Sequence, residues 1–365
     1  MGHGGARLEE RSFSPLDVGD PWADPGTGDG AMNRLPWGVV ALRGGEVESL
    51  HRLRAVVVDA DGKQHASVGD PGAPILARSV VKPFQALPLL EDGVADGLGL
   101  EPEDLALACA SHDGTPVHVS AVRAMLGRVG AGDRDLACGP SAPLNPNAAE
   151  ELLRAGLEPG RLHNNCSGKH AGMLGLARHR GWDTVGYHER EHPVQGRALE
   201  SVAGWAQVPA RGVRTATDGC GVRTFSLALK AVARAFARLG TAGREGGAAR
   251  EVLGAMRAHP LLVGGSMRLC TRLLETSEGH VVAKLGAEGI YGAWVEDQRL
   301  GVAVKVEDGA RRAADPALLG VLGAMGALEP DDRDHLEDLA MPVVRNTRGE
   351  VVGHLEPVFG AEGGS

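Results

Sequence analysis

The sequence predicts an α+β fold: an antiparallel sheet drawn from both chain ends, with a helical body between them. Three observations lead there. Apolar runs with strand character open the chain at "WGVVALRGG" (37–45) and "RAVVVDADGKQHASVGD" (54–70). Three further short strands with Gly turns read out of "HVVAKLGAEGIYGAWVEDQRLGVAVKVEDG" (280–309). The stretch between them follows mostly the helical period. A doubly wound sheet would instead alternate strand and helix throughout, and no GxGxxG or Walker-type loop follows a strand.

Each element has a local reason. The Asp61-Gly62 pair closes a hairpin inside the second strand run. "KPFQALPLLEDG" (82–93) reads as a helix ended by Gly93. "TPVHVSAVRAMLGRVG" (115–130) reads as a helix with Thr115 as N-cap, Pro116 in the first turn and Gly130 as its stop. "SGKHAGMLGLARHRG" (167–181) takes Ser167 as its cap and Gly181 as its end. "HPVQGRALESVAGWAQ" (192–207) and "TFSLALKAVARAFARLG" (224–240) keep the helical period, and "TAGREGG" (241–247) reads as a loop. "DPALLGVLGAMGAL" (315–328) is a capped helix near the C-terminus. No internal repeat is visible. Residues 1–33, rich in Gly, Pro, Asp and Ser, read as a disordered leader, and 34–365 as one α+β domain.

Bulk composition narrows the function. The net charge of −9 without a long basic run argues against nucleic acid or an anionic membrane as partner. No stretch approaches the roughly 18 apolar residues of a membrane span, and the first thirty residues lack the apolar core of a secretory signal. The five cysteines, at 109, 138, 166, 220 and 270, are odd in number and widely spaced, unlike a disulfide framework. A cytoplasmic location with reduced thiols is expected.

Lysine is scarce. There are six, at 63, 82, 169, 230, 284 and 305. Three of them fall in segments dense in Ser, Cys, His and Gly. In "RSVVKP" (78–83), Ser79 and Lys82 stand one turn apart, so a neutral amine at 82 can take the proton of a nucleophilic hydroxyl at 79. Taken alone, this tetrapeptide is more often a helix cap followed by a surface lysine. In "CASHDG" (109–114), Ser111 offers a second hydroxyl. The neighbouring His112 is a poor base for it, because adjacent side chains diverge. "HNNCSGKHAG" (163–172) packs Cys166, Lys169 and two histidines, His163 and His170, around a helix start, and "TDGCG" (217–221) sets Asp218 and Cys220 in a tight turn. Two distant thiols with a histidine or carboxylate suit zinc, although C-x-x-C spacing is missing and any one cysteine is ordinarily structural. Asp218 equally suits recognition of an amino group. Lys284, at the end of an apolar strand before a Gly-rich turn in "VVAKLGAEGIYG" (281–292), has a placement familiar from serine acyl-enzymes. Its bland reading is an edge-strand lysine that blocks aggregation.

In their order, "RSVVKP", "CASHDG", "NNCSGKHAGML", "TDGCGV" and "AKLGAEGIYG" resemble the Rhizobium-type L-asparaginases, from about Trp37 to Gly360. "CSGKHAGML" and "DGCG" are the most specific elements. The resemblance implies a fold like that of the serine β-lactamases and glutaminases, and hydrolysis of L-asparagine to L-aspartate and ammonia. It implies Ser79 as nucleophile with Lys82 as its base, and Ser111 with Lys284 as a second Ser-Lys pair. It implies a zinc ion on Cys166, Lys169 and Cys220, and a substrate pocket lined by Arg78, His170 and Asp218. Cys270 is expected near the site as a redox-sensitive thiol, and the assembly is expected to be a homodimer. Two departures bear on substrate preference: Thr115 stands where an acidic residue follows the "SHxG" element, and Arg223 where proline follows "DGCGV". A glutaminase or dual asparaginase/glutaminase is the nearest enzymatic alternative, because one methylene is discriminated by only about 1–3 kcal/mol. A non-catalytic zinc-thiolate binding protein is the alternative from another class.

Overall fold

The strand-forming runs at the two ends of the chain pair with each other. The computed structural model describes residues 35–359; the leader expected over 1–33 lies outside them. The strands are β1 (Gly38–Arg43), β2 (Glu46–Val58), β3 (Gln64–Val68), β4 (Pro74–Leu76), β5 (Thr215–Thr217), β6 (Arg223–Ala228), β7 (Val281–Gly286), β8 (Ile290–Val295), β9 (Leu300–Val306), β10 (Val343–Arg345) and β11 (Val351–Val358). The main sheet runs β10-β11-β1-β2-β9-β8-β7, with β3 also paired to β2. Every pairing in it is antiparallel. β2 carries two partnerships in succession. Its first half pairs with β1, with Arg52 opposite Gly38, and its second half pairs with β9, with Leu53 opposite Val306. A smaller sheet runs β4-β6-β5.

The α+β architecture and the hairpin at Asp61-Gly62 match expectation: Gly62 donates to Asp59 O, and Asp59 to Lys63 O. The three strands of 281–306 are buried on both faces apart from Lys305. Several boundaries differ. Residues 82–93 form two short helices, Lys82–Ala86 and Pro88–Glu91, because Pro88 cannot continue the first as an interior residue. Residues 224–228, read with the helix that follows, belong instead to β6, where pairing to β4 and β5 overrides the helical pattern. The helix then runs Leu229–Glu245 through most of the expected loop, leaving Gly246–Gly247 as the break. Ser167 opens its helix but does not cap it: Cys166 is the N-cap, and Ser167 Oγ donates to Leu162 O. The Thr115 side chain likewise bonds His118 Nδ1 at 2.6 Å instead of capping its helix. The last expected helix begins earlier, at Arg311, with Pro316 inside its first turns.

Helix Leu229–Glu245 lies on the sheet, and its Phe236 meets Phe84 of the short Lys82–Ala86 helix edge-on, with ring centroids 5.2 Å apart at 82°. Phe236 is 1% exposed. This contact ties sheet, long helix and the Ser79 segment into one packed unit. Among the described residues no helix is long and apolar enough to cross a membrane. Phe236→Ala is expected to destabilise the chain by about 3–5 kcal/mol, measured as the shift in urea unfolding; a loss under about 1 kcal/mol would mean that this junction is not a closely packed part of the core.

Candidate active site

Ser79 sits in a short 3-10 turn, Arg78–Val81, between β4 and the Lys82–Ala86 helix. Arg78 enters that turn at φ +49°, a left-handed conformation that a non-glycine residue holds only at a cost of about 1–3 kcal/mol. Its N–H is held by Thr224 Oγ1 at 3.0 Å, and its guanidinium Nε donates to Asp218 Oδ1 at 2.5 Å. The end of β7 presses on the same turn. A Cβ at Gly286 would lie 3.3 Å from Val80 N and 2.4 Å from Ile290 Cγ2, so only glycine lets the strand approach.

Behind the turn two buried amines converge on one hydroxyl. Lys284 Nζ lies 2.8 Å from Ser111 Oγ and donates to Leu285 O at 2.7 Å. Lys82 Nζ lies 3.1 Å from the same Oγ and donates to Ala110 O at 2.5 Å and Asn165 O at 3.3 Å. Lys82 is 0% exposed and Lys284 1%. Burial pushes the Lys284 amine down to about 7; Cys270 opposes that shift and the Lys82 charge reinforces it. The hydrogen bond expected from Ser79 to Lys82 is not among those of the described residues. The lysine side chain instead extends toward the end of helix Pro102–Cys109, where two carbonyls and Ser111 take its three directions. His112, beside Ser111, turns away as expected and bonds Ser167 Oγ at 2.9 Å.

The thiols gather at the start of helix Ser167–His179. Gly168 makes this possible, since a Cβ there would stand 2.4 Å from Leu107 O. Lys169 Nζ donates to Cys220 Sγ at 3.1 Å, and the Cys166 thiol bonds Asn165 Oδ1 at 3.0 Å. Hydrogen bonding from Cys166 and the adjacent Lys169 charge bring Cys220 down to about 5 against burial. The same pairing, with burial, pushes Cys166 up to about 12. Lys169 is thus placed as counter-charge to the thiolate form of Cys220. Burial works against ionisation of Asp218, but the Lys169 and Arg78 charges outweigh it and hold the carboxyl below its ordinary range.

Among the described residues no group of three or more His, Cys, Asp or Glu side chains is placed to hold a metal ion. Cys166, Cys220 and Lys169 contribute two sulfurs and one nitrogen, a donor set that suits tetrahedral zinc with one position open, once the amine has released its proton. Cys166 pairs with Cys220, and Lys169 Nζ lies 3.1 Å from the Cys220 sulfur, so the residues fit the ion by donor type.

His170, next to Lys169, is fully buried, and burial lowers it to about 3, which keeps the imidazole neutral. Tyr187 Oη accepts from Ala137 N and bonds His170 Nδ1 at 2.7 Å. With Nδ1 accepting from that hydroxyl, Nε2 carries the ring proton, and it has no partner among the described residues. Cys270 Sγ accepts from Leu285 N at 3.3 Å, behind Lys284.

The expected residues thus fall into linked groups: Ser111 with Lys82 and Lys284; Arg78 with Asp218; Cys220 with Lys169. The Asp218–Val222 turn joins the last two, and Ser79 follows Arg78 directly. Sequence reasoning passed over Thr224, Tyr187 and Asn165. Asn165 adjoins Cys166 in a segment already singled out, whereas nothing in the sequence sets Tyr187 or Thr224 apart from core residues.

Comparison with solved structures returns simvastatin synthase LovD from Aspergillus terreus. The LovD6 mutant is 10% identical over 78% of this chain and 92% of its own, with a TM-score of 0.34. The unliganded enzyme is 10% identical over 79% and 94%, with a TM-score of 0.32. Comparison with curated protein sequences finds no match. A family model described as L-asparaginase II matches residues 39–357, a span that takes in every group above. The chain belongs to the L-asparaginase II family and is an amide hydrolase of the asparaginase type.

Proposed function

We propose that the chain hydrolyses L-asparagine to L-aspartate and ammonia through a serine acyl-enzyme. The observation that carries this reading is the Ser111 hydroxyl held between two buried lysine amines, one of which titrates near neutrality. Ser79 is the attacking hydroxyl in this reading. Its oxygen bonds the carboxamide carbon, and its proton passes to the amine network of Lys82, Ser111 and Lys284. The oxyanion collapses, the C–N bond breaks, and ammonia leaves with a proton returned from that network. Water then cleaves the ester by the same route in reverse. Asp218 pairs with the substrate ammonium, Arg78 with its carboxylate, and the free Nε2–H of His170 donates to a substrate oxygen. A second reading, with Ser111 as nucleophile, is favoured by its 2.8 Å contact with Lys284.

Cys166, Lys169 and Cys220 would hold a zinc ion in this proposal, and when bound it supplies a fixed positive charge that orients the substrate. The protein acts as a homodimer on a small-molecule substrate in the cytoplasm, which size-exclusion chromatography with light scattering and cell fractionation test.

Ammonia release from asparagine and glutamine by the purified protein tests the reaction. Ser79→Ala is expected to abolish turnover and to leave zinc content, read by elemental analysis, unchanged. Full activity in Ser79→Ala together with loss in Ser111→Ala would transfer the nucleophile role to Ser111. Cys220→Ser is expected to lose bound zinc, which thermal unfolding with and without chelator also reports.

Two pH effects follow from Lys284. As proton acceptor its neutral form is required, so kcat/KM is expected to rise with pH and level off above about 7. The stability effect has its own sign. An exposed lysine titrates near about 10.4, so between about 7 and 10 the unfolded chain binds the extra proton and this group makes stability rise with pH. Lys284→Met is expected to flatten that rise in urea midpoints measured across the window; an unaltered slope would contradict the assignment.

A further inference from the structure

A cavity of about 250 Å³ lies beside the Asp218–Val222 turn, walled by His188, Thr215, Thr217, Gly221 and Arg223 among others. Two of these side chains carry a buried nitrogen without a hydrogen-bond partner among the described residues, Arg223 Nε and His188 Nδ1. A buried polar group left unpaired is destabilising, and more so when it is charged. The Arg223 side chain is 13% exposed, yet the carboxylate beside it, Glu191, lies 3.8 Å from Nη2 on a side chain that is 88% exposed. Such a pairing compensates a desolvated guanidinium poorly.

The arrangement is also held in place. Arg223 opens β6 opposite Thr217, and its backbone N–H donates to Gln195 Oε1 at 3.1 Å. The His188 ring stands edge-on to Tyr187, with centroids 6.0 Å apart, and its Cδ2 would lie 3.8 Å from a Cβ at Gly221. Thr215 and Thr217, two apart on β5, lie on one face and add hydroxyl donors.

We propose that this cavity binds a small dicarboxylate, one carboxylate seated on Arg223 and His188. The edge of a guanidinium that includes Nε offers two parallel N–H groups, which match a carboxylate in bidentate fashion. Size agrees. A water takes up about 30 Å³ of liquid, so the cavity equals roughly eight waters, room for a four-carbon diacid. The ligand would touch the catalytic region through the turn: Asp218 N donates to Val222 O and Gly221 N to Asp218 O, with Cys220 between them. The cavity thus adjoins the residues that fix Asp218 and Cys220, and its occupancy bears on both.

Binding is read directly, independent of turnover, by isothermal titration calorimetry of the full-length protein with succinate and, in parallel, L-aspartate. Saturable binding of either diacid, weakened about ten-fold or more in Arg223→Gln and in His188→Gln but retained in Arg78→Gln, supports the site. His188→Gln carries the comparison should Arg223→Gln fail to fold by circular dichroism. Absence of saturable binding by the wild-type protein overturns the proposal. So does equal affinity in the cavity variants, or loss confined to Arg78→Gln.

Discussion

Everything at the site depends on one shared hydroxyl. Ser111 Oγ accepts the attention of two lysines whose side chains are removed from water. Burying even one amine costs several kcal/mol unless hydrogen bonds replace its hydration. Here backbone carbonyls supply that replacement: Ala110 and Asn165 for Lys82, Leu285 for Lys284. These carbonyls come from three separate segments, so the sheet, the helix ends and the cysteine-bearing loop must all be in register before the pair is tolerable. Lys284 has one such carbonyl, and burial brings its amine down to about 7.

The thiol cluster obeys the same logic with opposite sign. Cys220 is stabilised as an anion by a donated hydrogen bond and a neighbouring ammonium, and Asp218 is held charged by that ammonium and by Arg78. Positive and negative groups alternate from Arg78 through Asp218 and Lys169 to Cys220. A change at any of them shifts the protonation of its neighbours, so substitutions along this chain are expected to be non-additive.

Much of this could be read in the sequence, for identifiable reasons. Short motifs fixed the cysteine, lysine and serine positions because each segment supplies its chemistry locally, and strands at both chain ends revealed the sheet. What local pattern could not show was direction. Whether Lys82 points to Ser79 or to Ser111 is decided by where the carbonyls of Ala110 and Asn165 lie, and both are distant in sequence. For the same reason Thr224–Ala228 read as helix: its strand character comes from partners near residues 75 and 216. Arg223 stood out only as a departure, and its unpaired nitrogen is a property of the folded environment.

The pairing of β1 with β11, Gly38 opposite Val358, has a consequence for biogenesis. β1 waits for β11, more than 300 residues later, before its outer edge is covered. Closing a loop of that length delays sheet completion relative to the locally connected helices. Until β11 pairs, the folding chain therefore carries an open β edge, a hazard for self-association.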